Sequence, residues 1–225
     1  MSVALFGASG ATGQRFIAAA TRAGIPLRLH YRSTPDADPP PGAIVVIGSL
    51  EDPPAVRETL RGTSAAVVLM GPRSSSADVC CAKATRAIVD GMRMQRQRRL
   101  LCTTGATLGP LASNVSVPMR ATAMAWRRFT SEEEADDRAE QERIVRASRL
   151  DWTLVKPSRL TDNGTGETFR ANADLEIGLR STIGRDTLAA FLLSEIVEPK
   201  FVGQAVYVTG THADERRPVP EAARG

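Results

Sequence analysis

MSVALFGASGATG, residues Met1 to Gly13, decides the fold. Ser2 to Phe6 are short, apolar and β-prone, the pattern of a buried strand. Gly7, Ala8, Ser9, Gly10, Ala11, Thr12 and Gly13 follow, with the glycines spaced GxxGxxG, and a helical stretch then runs to about Arg22. Strand, glycine-rich turn and helix in that order is the layout of a dinucleotide-binding βαβ unit. Glycine lets the turn close tightly and lets the backbone approach a pyrophosphate. The helix N-terminus offers free N–H groups and a positive dipole end to the phosphates. The plainer reading is a tight turn with no ligand. The placement of the triplet between strand and helix speaks against it.

Outward from that stretch the chain keeps alternating. Pro26 to Tyr31 reads as a second strand and Ala43 to Ile47 as a third, with the proline-rich loop Pro35 to Pro41 between them. Asp52 caps a short helix with Pro53 at its start. Ala65 to Met70 is a fourth strand, Ser76 to about Met94 a helix interrupted by Gly91, and Arg99 to Thr103 a fifth strand. Glu132 to about Ala147 is a helix with an acidic start. Asp151 to Lys156 is a sixth strand, Arg185 to Val197 a helix, and Gln204 to Val208 the strand that closes the sheet. The expected fold is a Rossmann-type, doubly wound parallel α/β sheet in one domain, residues 1–209, with a small substrate-binding loop region. Residues 210–225 are expected to form a mobile tail.

Composition narrows the function classes. The chain has 225 residues, a net charge of +4 and 42% hydrophobic residues, ordinary for a globular protein. Its basic character comes from scattered arginines, since only Lys83, Lys156 and Lys200 are lysines. Scattered charge of this kind argues against nucleic-acid binding. No apolar run reaches membrane-span length and no signal peptide is visible, so a cytoplasmic protein is expected. Cys80, Cys81 and Cys102 have no metal-ligand spacing, and His30 and His212 are too isolated for a metal site.

The second strand ends at Tyr31, Arg32 and Ser33, where such folds meet the adenosine ribose. No acid appears before Asp36, and an arginine here accommodates a 2′-phosphate, so NADP (as NADPH) is expected over NAD. Arg32 as a plain solvated charge is the alternative.

Several stretches together resemble one family: GASGATG at Gly7 to Gly13, YRS at Tyr31 to Ser33, GSLED at Gly48 to Asp52, LLCTTGA at Leu100 to Ala106, Glu142 to Asp162, and Ser181 to Leu193. They are similar to the atypical short-chain dehydrogenase/reductases, which include NmrA-like NAD(P)H-binding proteins and small biliverdin/flavin reductases. The resemblance spans about Ser2 to Thr209. It implies a pyrophosphate turn at Gly7, Gly10 and Gly13, with Ser9, Ala11 and Thr12 close to phosphate. It also implies Arg32 at the 2′-phosphate with Ser33 beside it, Ser49 and Leu50 at the adenine, and Met70 and Gly71 walling the adenosine. Thr103 and Thr104 would lie near the nicotinamide ribose, and Pro157, Ser158, Arg159 and Leu160 would border the nicotinamide. Where the family usually has Asp, this chain has Ser49.

The resemblance also exposes a departure. Many relatives use a Tyr-x-x-x-Lys pair, in which the tyrosine donates a proton. Only Tyr31 and Tyr207 are present, neither at that spacing, and Arg138 or Arg143 stands where the lysine would be. Arginine stays protonated. Hydride transfer to a flavin, quinone or polycyclic aromatic metabolite needs no such acid, with Thr104 as a hydrogen-bond donor and Arg159 as an anion stabiliser. Both also read as a strand-end hydroxyl and a surface charge. Gly105 to Arg128, carrying Met119, Met124, Trp126 and basic Arg120, Arg127 and Arg128, and Asn163 to Gly178 are expected beside a planar, aromatic substrate. An NADP(H) sensor, or a non-redox biosynthetic enzyme, remains the alternative. Either a monomer or a homodimer is compatible with the sequence.

Overall fold

The computed structural model describes residues 1–71, 81–106, 118, 121, 132–162 and 168–211. Ten strands and five helices lie among them. The strands are β1 (Val3–Phe6), β2 (Leu27–Tyr31), β3 (Ile44–Ile47), β4 (Ala65–Val68), β5 (Arg99–Thr103), β6 (Asp151–Pro157), β7 (Arg159–Thr161), β8 (Thr168–Asn172), β9 (Thr182–Gly184) and β10 (Gln204–Thr211). The helices are α1 (Ala11–Arg22), α2 (Pro53–Leu60), α3 (Cys81–Met94), α4 (Glu132–Arg146) and α5 (Arg185–Val197).

Eight strands form one sheet in the order β3-β2-β1-β4-β5-β6-β10-β8. All pairings are parallel except β10 with β8. The chain moves outward from β1 to β2 and β3, then returns to β4 on the other side of β1. That reversal leaves a crevice at the carboxyl ends of β1 and β4, the place where open α/β sheets bind ligands. β7 and β9 make a separate parallel pair, Arg159 opposite Thr182.

Burial explains the layering. β1, β2 and β4 are buried at every position, as strands covered on both faces must be. Leu5, Leu29, Val67, Leu101 and Val155 pack with Phe16 and Ile17 of α1 and Leu188 and Leu192 of α5. Phe6, Ala66, Leu100 and Leu154 pack on the opposite face with Val56 and Leu60 of α2, Ile88 and Met92 of α3, and Ile144 and Val145 of α4. These are the two cores of a doubly wound fold.

The differences from the sequence-based boundaries have physical causes. Pro26 lacks an N–H and stays outside β2, although its carbonyl accepts from Val3 N at 3.0 Å. The ladder of β4 ends at Val68, two residues before Met70. Gly91 does not interrupt α3. A Cβ there would lie 2.9 Å from Leu60 Cδ1, so the glycine lets α3 approach α2. Strand β10 runs on to Thr211 and does not close the sheet, because β8 pairs antiparallel beyond it, Tyr207 opposite Asn172. β8 lies inside Asn163 to Gly178, the stretch expected to sit at the substrate. Most of Gly105 to Arg128, the helix start at Ser76, and His212 to Gly225 lie outside the described residues.

Candidate functional site

Gly7 has φ +96 and closes the turn after β1. A Cβ on Gly7 would lie 2.6 Å from Leu69 O, and one on Gly13 would lie 2.2 Å from Gly7 O. Both positions therefore require glycine, whereas a Cβ on Gly10 meets only Gly7 O, at 3.4 Å. Gly10 N donates to Gly7 O at 3.1 Å, and Gln14 Nε2 donates to Ala8 O at 2.7 Å, which fixes the loop on α1. No side chain caps α1 and no acidic residue stands in its first turn. Its first amides, at Ala11 and Thr12, thus meet no capping side chain from Gly10 and no first-turn carboxylate. That arrangement fits a pyrophosphate. Ser9, Gly10 and Ala11 are exposed and Thr12 is half-buried.

Arg32, Ser33, Ser49 and Leu50, expected at an adenosine, follow the ends of β2 and β3. Arg32 and Ser33 are exposed, and Arg32 makes no ion pair among the described residues. Ser49 is exposed and its hydroxyl accepts from Glu51 N at 3.1 Å, a local turn that leads to Asp52 at the start of α2. Leu50 packs partly against the α2–α3 core. Met70 is buried in that core, while Gly71 is exposed.

Helix α4 ties down the far side of the crevice. Arg138, buried, donates from Nη1 to Met70 O at 3.2 Å and to Gln141 Oε1 at 2.7 Å. The neighbouring Asp137 carboxylate accepts from Cys81 N at 2.8 Å and Ala82 N at 3.0 Å. Two consecutive residues of α4 therefore hold the end of β4 and the start of α3. Of the two arginines at the lysine position of the pattern, Arg138 faces inward. Arg143 is exposed and pairs with Glu140 at 2.6 Å.

The carboxyl ends of β5 and β6 carry a cluster that sequence reading missed. Lys156 and Glu142 are both buried, with Nζ 2.7 Å from Oε1. Thr104 Oγ1 donates to the same oxygen at 3.1 Å, and Arg146 Nη2 lies 3.4 Å from Oε2. Burial pulls the Lys156 ammonium below its ordinary range, and Glu142 opposes that pull. Tyr207 is the direct neighbour of Lys156 in the β6–β10 register, and the ammonium lies 5.7 Å from its ring centroid. A tyrosine and a lysine thus do meet in space, face to ammonium, across strands rather than along a helix. Tyr31 is buried in β2. The signal that was available was Lys156 itself, a lysine directly after the apolar Leu154 and Val155, with the Glu142 carboxylate on the helix before it.

The other expected residues at this end behave differently from one another. Thr103 is buried and its hydroxyl has no partner among the described residues. Pro157 is buried, and its carbonyl accepts from Ala106 N at 3.0 Å. Ser158 is also buried, its hydroxyl donating to Thr209 Oγ1 at 3.1 Å, which in turn donates to Thr182 O at 3.1 Å. Its side chain binds β10 and β9 together and is not turned to a ligand. Arg159 is exposed, with no ion pair among the described residues. Among the described residues, no group of three or more His, Cys, Asp or Glu side chains is placed to hold a metal, and no helix is long and apolar enough to cross a membrane.

Comparison with known proteins agrees with this geometry. A structure from Burkholderia pseudomallei, of a protein proposed to be exported, is 25% identical over 93% of this chain and 99% of its own, with a TM-score of 0.66. A proposed NADH-flavin reductase from Streptococcus pneumoniae superimposes with a TM-score of 0.73 at 17% identity, over 94% of this chain and 100% of its own. A short-chain dehydrogenase/reductase (wide type) from Veillonella parvula, solved in complex with NADP, gives 0.74 at 15% identity, over 92% and 94% of the two chains. The family described as NAD(P)H-binding matches residues 7–199. The match takes in the glycine turn, α1, β4 and the Glu142–Lys156 pair, and the chain belongs to the NAD(P)H-binding family.

Proposed function

We propose that the chain is an NADPH-dependent reductase whose hydride acceptor is a planar conjugated ring, such as a flavin, quinone or polycyclic aromatic metabolite. The observation that carries the reading is the pairing of an α1 terminus that has no side-chain cap with an exposed Arg32 that makes no ion pair among the described residues. Gly7, Gly10 and Gly13 shape the pyrophosphate seat, with Ser9, Ala11 and Thr12 around it. Arg32 and Ser33 meet a 2′-phosphate, which gives NADPH its advantage over NADH. Ser49, Leu50, Met70 and Gly71 border the adenosine. Thr103, Thr104, Pro157 and Ser158 line the nicotinamide end, Ser158 through its backbone. Bound NADPH supplies the hydride.

A conjugated ring spreads the charge it receives and takes its proton from water, which suits a site whose tyrosine is buried against Lys156. Arg159, exposed beside the edge of β6, stabilises an anionic acceptor. The buried cysteines Cys81 and Cys102 suit a reducing compartment, the cytoplasm. The test is NADPH oxidation by the purified protein with FMN and with menadione. Turnover with either supports the reductase. Tight NADPH binding with no turnover on any planar acceptor favours the alternative, an NADP(H) sensor.

A further inference from the structure

Three donors converge on the Glu142 carboxylate, and their chemistry fixes what Thr104 can do. An ammonium can only donate, and an ionised carboxylate can only accept. Lys156 Nζ occupies Oε1 at 2.7 Å and Arg146 approaches Oε2 at 3.4 Å, so Glu142 sits between two cations as a carboxylate. Thr104 Oγ1 reaches Oε1 at 3.1 Å, and against an acceptor-only partner a hydroxyl must spend its single proton. What remains on Thr104 is lone pairs. Among the described residues no donor reaches them, and the side chain is half-buried at the carboxyl end of β5. On the other face of the same strand end, the buried Thr103 hydroxyl also lacks a partner among the described residues. Two adjacent hydroxyls at the ligand edge of the sheet thus have hydrogen-bonding capacity that no described residue uses.

We infer that Thr104 is a specificity residue that accepts a hydrogen bond from the ligand, so that the site selects a molecule bringing an amide or imide N–H to this edge. The inference rests on the proposal that NADP(H) binds here. It reverses the role expected from sequence, in which Thr104 donates. Two ligands carry this chemistry: the nicotinamide carboxamide of the cofactor and the imide of a flavin-like acceptor. A quinone, whose oxygens only accept, cannot satisfy Thr104. Glu142 and Lys156 are positioning residues in this account, because they act on the ligand only through the orientation of the Thr104 hydroxyl.

Binding measurements separate the two sources. Isothermal titration compares NADP⁺ with its 3-acetylpyridine analogue, in which a methyl replaces the carboxamide NH₂. A second pair, riboflavin and N3-methylriboflavin, is titrated into the NADP⁺-loaded protein. The expected result is a loss of affinity of about tenfold within one pair, on the scale of one hydrogen bond. Thr104→Ser keeps this preference and Thr104→Val reduces it to about onefold. The double variant Glu142→Gln/Lys156→Met, in which the amide oxygen is free to turn to Arg146 and the NH₂ donates to Thr104 and frees its proton, also removes it, which a purely structural role would not do. Equal affinities within both pairs overturn the inference, as does a preference that survives Thr104→Val in a folded variant. Failure of NADP⁺ itself to bind overturns the cofactor reading and this inference together, whereas binding without discrimination overturns the inference alone.

Discussion

Lys156 on β6 and Glu142 on α4, fourteen positions apart in sequence, form a buried ion pair of 2.7 Å beneath the carboxyl end of the sheet. Taking two charges out of water is costly, and removing one partner strands the other. Lys156→Met is expected to destabilise the chain by about 3–5 kcal/mol, and Glu142→Gln by a similar amount. The double variant Glu142→Gln/Lys156→Met recovers most of that loss, because neither residue is then left as an unpaired charge. Chemical denaturation of the four proteins measures it. Additive losses in the double variant would show that the two residues do not act as a pair.

The glycine turn makes a graded prediction. Alanine at position 13 would place its Cβ 2.2 Å from Gly7 O, backbone against backbone, with nothing flexible to give way. Gly13→Ala is expected to abolish nucleotide binding and lower the melting temperature. Gly10→Ala, with its nearest contact at 3.4 Å, keeps the fold and weakens binding only a few-fold. Circular dichroism with nicotinamide fluorescence reads both. Equal behaviour of the two variants would contradict the geometry of the turn.

At the opposite edge of the sheet Arg99 Nη2 meets Glu195 Oε2 at 2.9 Å, and the same carboxylate also accepts from Lys200 N and Phe201 N. This pair joins β5 to α5 at the amino ends of the strands, away from the crevice. Glu195→Ala is expected to cost about 3–5 kcal/mol of stability. Under conditions where it is folded, its affinity for NADPH is unchanged within about twofold. A large loss of affinity in the folded variant would mean that the amino-end pair is coupled to the site.

His30 sets an acid limit on stability. It is buried in β2 with its ring 5.5 Å from Phe6, its Nε2 has no partner among the described residues, and burial lowers its pKa from 6.5 to about 4. Above pH 6.5 both the folded and unfolded chains hold it neutral. Below that value the unfolded chain takes up a proton that the folded chain refuses until about pH 4, so stability falls across this window. The loss amounts to about 3 kcal/mol at its low end. In His30→Leu this part of the pH dependence disappears, as urea midpoints taken between about pH 7 and about pH 4.5 show. An unchanged pH profile would place the acid sensitivity elsewhere.

The fold was largely legible because β1, β3 and β4 are continuous apolar runs and the first turn carries glycines whose spacing has a mechanism. Arg185 to Val197 forms the helix expected from its pattern, residue for residue. β7 to β9 were not legible: β8 is exposed at four of five positions and gives no alternation, and β7 and β9 have three residues each. In the site, the tight glycine turn and the exposed Arg32 after β2 follow from local sequence. The Glu142–Lys156–Thr104 cluster does not, because it joins a helix to the ends of two strands, and Glu142 stands in a helix otherwise rich in exposed charge. Ser158 shows the converse. Its position in the chain suggests a ligand contact, while its hydroxyl is held by Thr209.

The central claim is that this crevice binds NADP(H) through Arg32. Fluorescence titration of the purified protein with NADPH and with NADH, in parallel for Arg32→Ala, tests it most directly. The account predicts that NADPH binds at least about tenfold more tightly than NADH, and that Arg32→Ala removes the difference while leaving NADH affinity unchanged. Equal affinities in the unmodified protein, or a preference that survives Arg32→Ala, would contradict it.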